Sequence, residues 1–297
     1  MRSGRWFRLL WLVAAVAAVL MLFAACGEEE EEGAATATPA RTGTPAATPA
    51  GTTAVGVPEL ADGVLQVGSD IAYAPIEFFK EGTTTPQGLD IDLANALAAE
   101  LGVSTQFINT TFDGIIPALT AQRFDIIMSA MTVDEDRKKT IDFVDYLSAG
   151  TDILVPAGNP KDIQGLEDLS GLTAAVQSGT VQVKQLKAAN DELKAAGKPE
   201  INVLTFDQNP LAVEQLKVGR ADAVPADSPV VANDALLSDG KLEAVGLAIE
   251  AAPYGIGIRK DSTALKAAIE GALQKVMDSG EYRQILEKWS LSGGAIE

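Results

Sequence analysis

The chain of 297 residues contains no histidine and a single cysteine, Cys26. Those two absences exclude much chemistry. The chain can build neither a Ser-His-Asp or Cys-His nucleophile nor a His/Cys zinc cluster of its own, and no disulfide can form within it. Carboxylate and lysine chemistry remain open. Basic residues are also scarce: 23 Lys and Arg stand against 41 Asp and Glu, a net charge of −18. A surface this acidic repels nucleic acid and anionic lipid over long range. Nucleic acid is therefore not an expected partner, and neither a cofactor nor a metal is expected.

Long apolar runs are few, and the one that stands out is N-terminal. Arg2, Arg5 and Arg8 precede an unbroken apolar stretch from Leu9 to Ala25, short for a membrane span and organised like a secretory signal. The run closes on Leu22, Phe23, Ala24, Ala25 and Cys26, which resembles the lipobox of bacterial lipoproteins, although Phe23 stands where an aliphatic residue is usual. The resemblance implies cleavage after residue 25 and a lipid on Cys26. Loss of the leader with its three arginines takes the net charge from −18 to −21. Residues 26–57 carry an acidic run, Glu28 to Glu32, and then alanine, threonine, proline and glycine. Such a composition buries too little surface to offset its ordering entropy, so it is expected to be a disordered tether.

From Pro58 onward, strands alternate with helices. Val64 to Ser69 and Val103 to Ile108 are predicted strands, and Gly88 to Leu101 is a predicted helix with leucines four apart and Gly102 as its stop. Phe112 to Gln122 is helical in pattern. A second alternating series follows, with strands predicted at Leu172 to Val176, Asn202 to Phe206 and Asp222 to Pro225 and helices at Val181 to Ala196 and Leu211 to Val218. The tail adds a strand at Tyr254 to Arg259 and an amphipathic helix around Leu265 to Met277. This order predicts an α/β fold with mainly parallel sheets covered by helices on both faces, and ligand bound beyond the carboxyl ends of the strands. Leu119, Arg123 and Asp125 recur as Leu216, Arg220 and Asp222, each offset by 97 residues. The echo suggests two lobes of similar build.

The stretch Phe124 to Lys139 holds the clearest candidate site. A predicted strand, Phe124 to Met128, leads through Ser129 to Met131 into a helix, where Thr132 and Glu135 are spaced as a capping box. First-turn amides then face an anion, and Arg137 can close on a carboxylate with two parallel donors. A helix start with Arg137 paired on the surface to Asp134 or Asp136 fits the same residues.

Taken together, GSDIAYAPIEF (68–78), GLDIDLANALAAELG (88–102), FDGIIPALTAQRFDIIMSAMTVDEDRKKTIDF (112–143), AVQSGT (175–180), GRADAVPADSPV (219–230) and YGIGIRK (254–260) resemble the extracellular solute-binding proteins of family 3. The resemblance covers Val64 to Trp289. It implies a two-lobed periplasmic-binding-protein-like fold of type II, with lobe 1 made of residues 58–150 and 253–297, lobe 2 of 151–252, and a double crossover hinge between them. By the same resemblance Arg137, with Thr132 and Thr180, takes the α-carboxylate of an amino acid and Asp227 takes its α-ammonium. Tyr73 and Phe112 flank the ligand side chain, and Asp70, Ser129, Met131 and Gln177 line its variable end. Pro225, in the strand that leads to Asp227, lacks a ladder donor, and Ala130 stands where glycine is common.

The resemblance further implies a monomeric lipoprotein held outside the cell membrane, handing a polar amino acid to the permease of an ABC transporter. An enzyme on the same fold, resembling cyclohexadienyl dehydratase, and a sensory partner of a membrane receptor are the alternatives; keeping both Arg137 and Asp227 argues against the enzyme. Which amino acid is bound stays open.

Overall fold

The computed structural model describes residues 56–296; the leader, Cys26 and nearly all of the tether lie outside the described residues. β1 (Val64–Ser69) is followed by a small antiparallel sheet of β2 (Ala72–Tyr73), β3 (Glu77–Phe79) and β4 (Pro86–Gln87). Next comes α1 (Leu89–Leu101), which buries nine of its thirteen residues. It is apolar on nearly every side because it lies inside, against β5 (Ser104–Asn109), α7 (Thr263–Asp278) and α8 (Glu281–Lys288). α1 ends at Gly102, as the sequence predicts.

A 3-10 turn at Phe112–Gly114 and the short α2 (Ile115–Thr120) lead to β6 (Ile126–Ile127). β5, β1 and β6 pair in parallel. After α3 (Glu135–Lys138), the chain runs out along β7 (Ile141–Pro156), sixteen residues long. It builds β8 (Thr173–Gln177), α4 (Val181–Ala195), β9 (Asn202–Phe206), α5 (Asn209–Lys217), β10 (Val224–Asp227) and α6 (Ser228–Leu236), and returns along β11 (Leu242–Arg259). β8 and β9 are parallel, whereas β7 and β11 run antiparallel to each other over most of their length. The strand order β10-β7-β11-β6-β1-β5 shows why. Each lobe is parallel where its own strand-helix units stack, and antiparallel where the two crossing strands join it.

The sequence predicts only the carboxyl ends of these crossing strands, Thr151 to Pro156 and Tyr254 to Arg259. Their middles are rich in small and polar residues, so alternation is weak there. At Gly150 a side chain would meet Ala248 backbone atoms at 2.5–2.6 Å, so the two strands approach closely at the crossover because residue 150 has no Cβ.

The echo at an offset of 97 is physical. Leu119 and Leu216 are buried. The Asp125 carboxylate accepts the amide of Gln66 at 2.9 Å, and the Asp222 carboxylate accepts that of Thr173 at 2.9 Å. In each lobe an aspartate at the start of a strand satisfies the amide of the neighbouring strand. The first lobe has its core around Leu65, Leu93, Leu97, Ile256 and Ile269, and the second around Ile153, Val176, Leu186 and Ala223. Among the described residues no helix is long and apolar enough to cross a membrane.

Candidate functional site

The site lies where the carboxyl ends of β1 and β8 face each other and β10 runs into α6. Asp70 follows β1 directly, and its amide donates to Ser129 Oγ at 2.9 Å. Ser129 in turn donates to Glu77 Oε1 at 3.0 Å. From the other lobe Gln177, the last residue of β8, gives its amide nitrogen to Asp70 Oδ2 at 2.6 Å. Tyr73 Oη accepts the Asp227 amide at 3.1 Å. These contacts close the lobes on each other around a small cavity.

The loop before α3 differs from the sequence expectation. Asp134, not Thr132, is the N-cap: its Oδ1 accepts the amide of Arg137 at 2.8 Å. The Thr132–Glu135 capping box is therefore absent, because Thr132 is held in an extended bridge with Tyr254. Arg137 consequently lies in the first turn of a helix only four residues long, and its guanidinium folds inward. It is 7% exposed, lies 5.3 Å from the centre of the Phe112 ring, and donates to Thr132 O and, at 3.0 Å, to Gly179 O of the other lobe. The surface alternative holds only in part: Nε is 3.9 Å from Asp134 Oδ2, but the head of the side chain is buried.

Two helix starts flank the cavity. Thr180 is the N-cap of α4, with Thr180, Val181 and Gln182 in the lining, which aims the positive end of a fifteen-residue helix at the site. Asp227 is the N-cap of α6 by backbone position, yet its side chain makes no cap bond. It turns into the cavity and accepts from Gln182 Nε2 at 2.7 Å. Pro225 does not displace it, since β10 keeps its register with β7 and Asp227 lies opposite Thr151.

Nine of the ten residues expected to hold ligand line this cavity: Asp70, Tyr73, Phe112, Ser129, Thr132, Arg137, Gln177, Thr180 and Asp227. Met131 does not. Its side chain packs into the core with Ile115, Leu119, Phe124, Ile127 and Ile141, beside Ala130, whose left-handed backbone at φ 46 re-aims the side chain that follows. Glu77 and Gln182 line the cavity without having been singled out. Glu77 had a signal, a carboxylate set between Ile76 and Phe78 in an otherwise apolar run. Gln182 had none, since a glutamine in the first turn of a helix is ordinary.

Electrostatically the cavity is acid-rich. Three carboxylates, Asp70, Glu77 and Asp227, line it with one cation, Arg137. Burial pushes Asp70 up to about 6, the Gln177 hydrogen bond opposing. Burial also raises Asp227, opposed by the nearby Tyr254 and Tyr73 hydroxyls, the Gln182 hydrogen bond and the attraction of Arg137. Beneath the cavity, Glu77 and Asp90 are both raised, by burial first, and for Glu77 next by the charge of Asp90. Asp90 is held by the Tyr146 hydroxyl at 2.8 Å and the Ala130 amide at 2.9 Å. Asp70 Oδ1 and Glu77 Oε2 are buried with no hydrogen-bond partner. Such an arrangement favours a ligand that brings positive charge.

The sequence pattern of the bacterial extracellular solute-binding proteins, family 3, matches residues 65–292. The arginine-binding protein ArgT of Corynebacterium glutamicum is 34% identical over 236 residues, which is 79% of this chain and 77% of that protein. Among solved structures, an ancestral arginine-binding protein bound to arginine is 38% identical with a TM-score of 0.71, covering 76% of this chain and 98% of that one. An ancestral amino acid-binding protein described as a precursor of cyclohexadienyl dehydratase is 39% identical with a TM-score of 0.69, covering 77% of this chain and 96% of that one.

Proposed function

The chain belongs to the bacterial extracellular solute-binding proteins, family 3, and from that premise we propose that it captures an amino acid with a cationic side chain between its lobes and delivers it to an ABC importer. One observation carries the choice of ligand: a single guanidinium shares a closed cavity with three carboxylates, two of which keep an unpartnered buried oxygen. A zwitterion supplies one ammonium and one carboxylate. An arginine- or lysine-like ligand adds a second cation, which offsets part of the acidic excess.

In this reading Arg137, with the α4 start at Thr180 and the Thr132 loop, holds the α-carboxylate. Asp227 holds the α-ammonium. Phe112 and Tyr73 sandwich the stem of the side chain, and Asp70, supported by Gln177, Ser129 and Glu77, meets its distal cation. The arginine-binding relatives support this assignment. Closure turns on β7 and β11 near residues 150 and 250, with lobe 1 formed by 58–150 and 253–297 and lobe 2 by 151–252. Outside the described residues, a lipid on Cys26 and the tether 26–57 hold a monomeric body at the outer face of the membrane. The protein is a carrier rather than an enzyme, because Arg137 and Asp227 both serve to hold an intact amino acid.

A thermal-shift screen of the twenty amino acids and ornithine tests the ligand class. At a hundred times Kd a ligand adds about 2.7 kcal/mol to apparent stability. Arginine, lysine or ornithine should give the largest shift; a larger shift with glutamine or another uncharged amino acid would overturn the cationic assignment.

A further inference from the structure

Outside the ligand cavity, one ion-pair cluster ties the two lobes together. Lys184, on α4 of the second lobe, places Nζ 2.7 Å from Asp134 Oδ2 and 3.0 Å from Asp136 Oδ2, both on the turn of the first lobe that carries Arg137. Asp134 also caps the amide of Arg137 and lies 3.9 Å from its Nε. The contact is therefore continuous from the second lobe, through Lys184 and Asp134, to the Arg137 guanidinium. Neither Lys184 nor Asp134 nor Asp136 lines the ligand cavity. They border a wide groove on the outer side, together with Glu135, Glu192 and Glu250.

We propose that Lys184 is an interlobe latch, a positioning residue that holds the closed state and slows ligand release without touching ligand. The lysine is half exposed, with 48% of its side chain open to solvent. As an ordinary surface pair it would contribute little. Position changes the consequence: the pair exists only when the lobes are closed, so whatever it contributes multiplies the closed-to-open ratio, and with it the residence time of ligand. The surroundings strengthen the case. Asp136 also pairs with Lys139 at 2.8 Å within its own turn, a contact that does not depend on closure, whereas the bonds to Lys184 join one lobe to the other. The acidic groups that face Lys184 from the first lobe repel the acidic border of the second, and the lysine bridges them.

The test uses the full chain with L-arginine as probe, in wild type, Lys184→Met, Lys184→Glu, and Lys184→Glu combined with Asp136→Lys. At low salt Lys184→Met should release L-arginine about two- to fivefold faster, the range expected for breaking one exposed network. Lys184→Glu should release it faster still. The gap should close in about 1 M salt, where charges are screened within roughly 3 Å, and the charge-swapped pair should recover part of the loss, since Asp134 still faces the introduced glutamate. Melting temperatures without ligand should stay level, since neither lobe loses a core contact. Release rates at low salt equal to wild type in both single variants, or a loss that salt and the swap leave untouched, would overturn the latch. Hydrogen exchange of ligand-free protein keeps this separate from the choice of ligand. Amides lining the cleft should exchange faster in Lys184→Glu than in wild type, and equal exchange refutes the latch even if L-arginine fails to bind.

Discussion

Arg137 gathers the charge of the site at one residue. Its guanidinium is buried, stacked on Phe112 and bonded to a carbonyl from each lobe, and burial lowers its pKa without making it titrate in the physiological range. Taking away one partner of a buried charged pair costs roughly 2–5 kcal/mol, on the order of thirtyfold to several thousandfold in affinity. Arg137→Ala should accordingly all but abolish L-arginine binding in calorimetric titration, and Arg137→Lys should weaken it by losing the two parallel donors. Dissociation constants within about threefold of wild type would show that the carboxylate is held elsewhere. Asp70 makes a pH-dependent prediction. Its pKa is raised from 3.8 to about 6, so its contribution to the stability of the ligand-free fold is fully present below about pH 4 and lost as pH rises through about 6. Binding has the opposite sign, because a cationic ligand needs the carboxylate. Affinity for L-arginine should fall as pH drops below 6, by up to about tenfold per pH unit, with proton uptake by the site reversed on binding. Titrations in buffers of different ionisation enthalpy measure that proton release, and Asp70→Asn should remove it; unchanged proton release in this variant would assign it to Glu77 or Asp90.

At the scale of elements, the loop from Gln177 to Thr180 does the most for the site. It ends β8 with the amide that reaches Asp70, turns at Gly179, and opens α4 toward the cavity. Gly179 sits at φ +78, and a Cβ there would lie 2.8 Å from Asp113 Cα in the other lobe. A left-handed alanine costs about 1–2 kcal/mol locally, while the clash across the cleft opposes closure itself. Gly179→Ala should fold with a modest loss of stability yet close poorly. Small-angle scattering should show compaction of the wild type on addition of L-arginine and a smaller change in the variant. Equal compaction in both would mean that the lobes approach by another path. The helix start at Asp134 teaches a related lesson about elements. Thr132 and Glu135 have the spacing of a capping box, while Asp134 is itself a good N-cap residue; the bridge between Thr132 and Tyr254, made by a strand more than a hundred residues later, decides between them.

For the whole molecule, the proposed anchor at Cys26 sets where the two lobes work. Mass spectrometry of mature protein from a bacterium that processes lipoproteins should find a lipid on Cys26 as the first residue; an unmodified cysteine, or an N-terminus elsewhere, would remove the anchor. The residue pattern determined the order of elements, because apolar periodicity and glycine stops are local. Leu89–Leu101, Asn202–Phe206 and the recurrence of Asp125 as Asp222 could be placed before any contact was known. The resemblance to the family, carried by motifs in order along the chain, also pointed to Arg137, Asp227 and Asp70, and all three line the cavity. Tertiary structure decided the rest. The extended middles of β7 and β11 form by pairing with each other, not by any preference of their small residues. Met131 turns into the core because its neighbour Ala130 is left-handed. The balance of three carboxylates against one guanidinium depends on Glu77, Asp70 and Asp227 meeting across more than a hundred and fifty residues of chain, and no local pattern encodes a sum of charges gathered from two lobes.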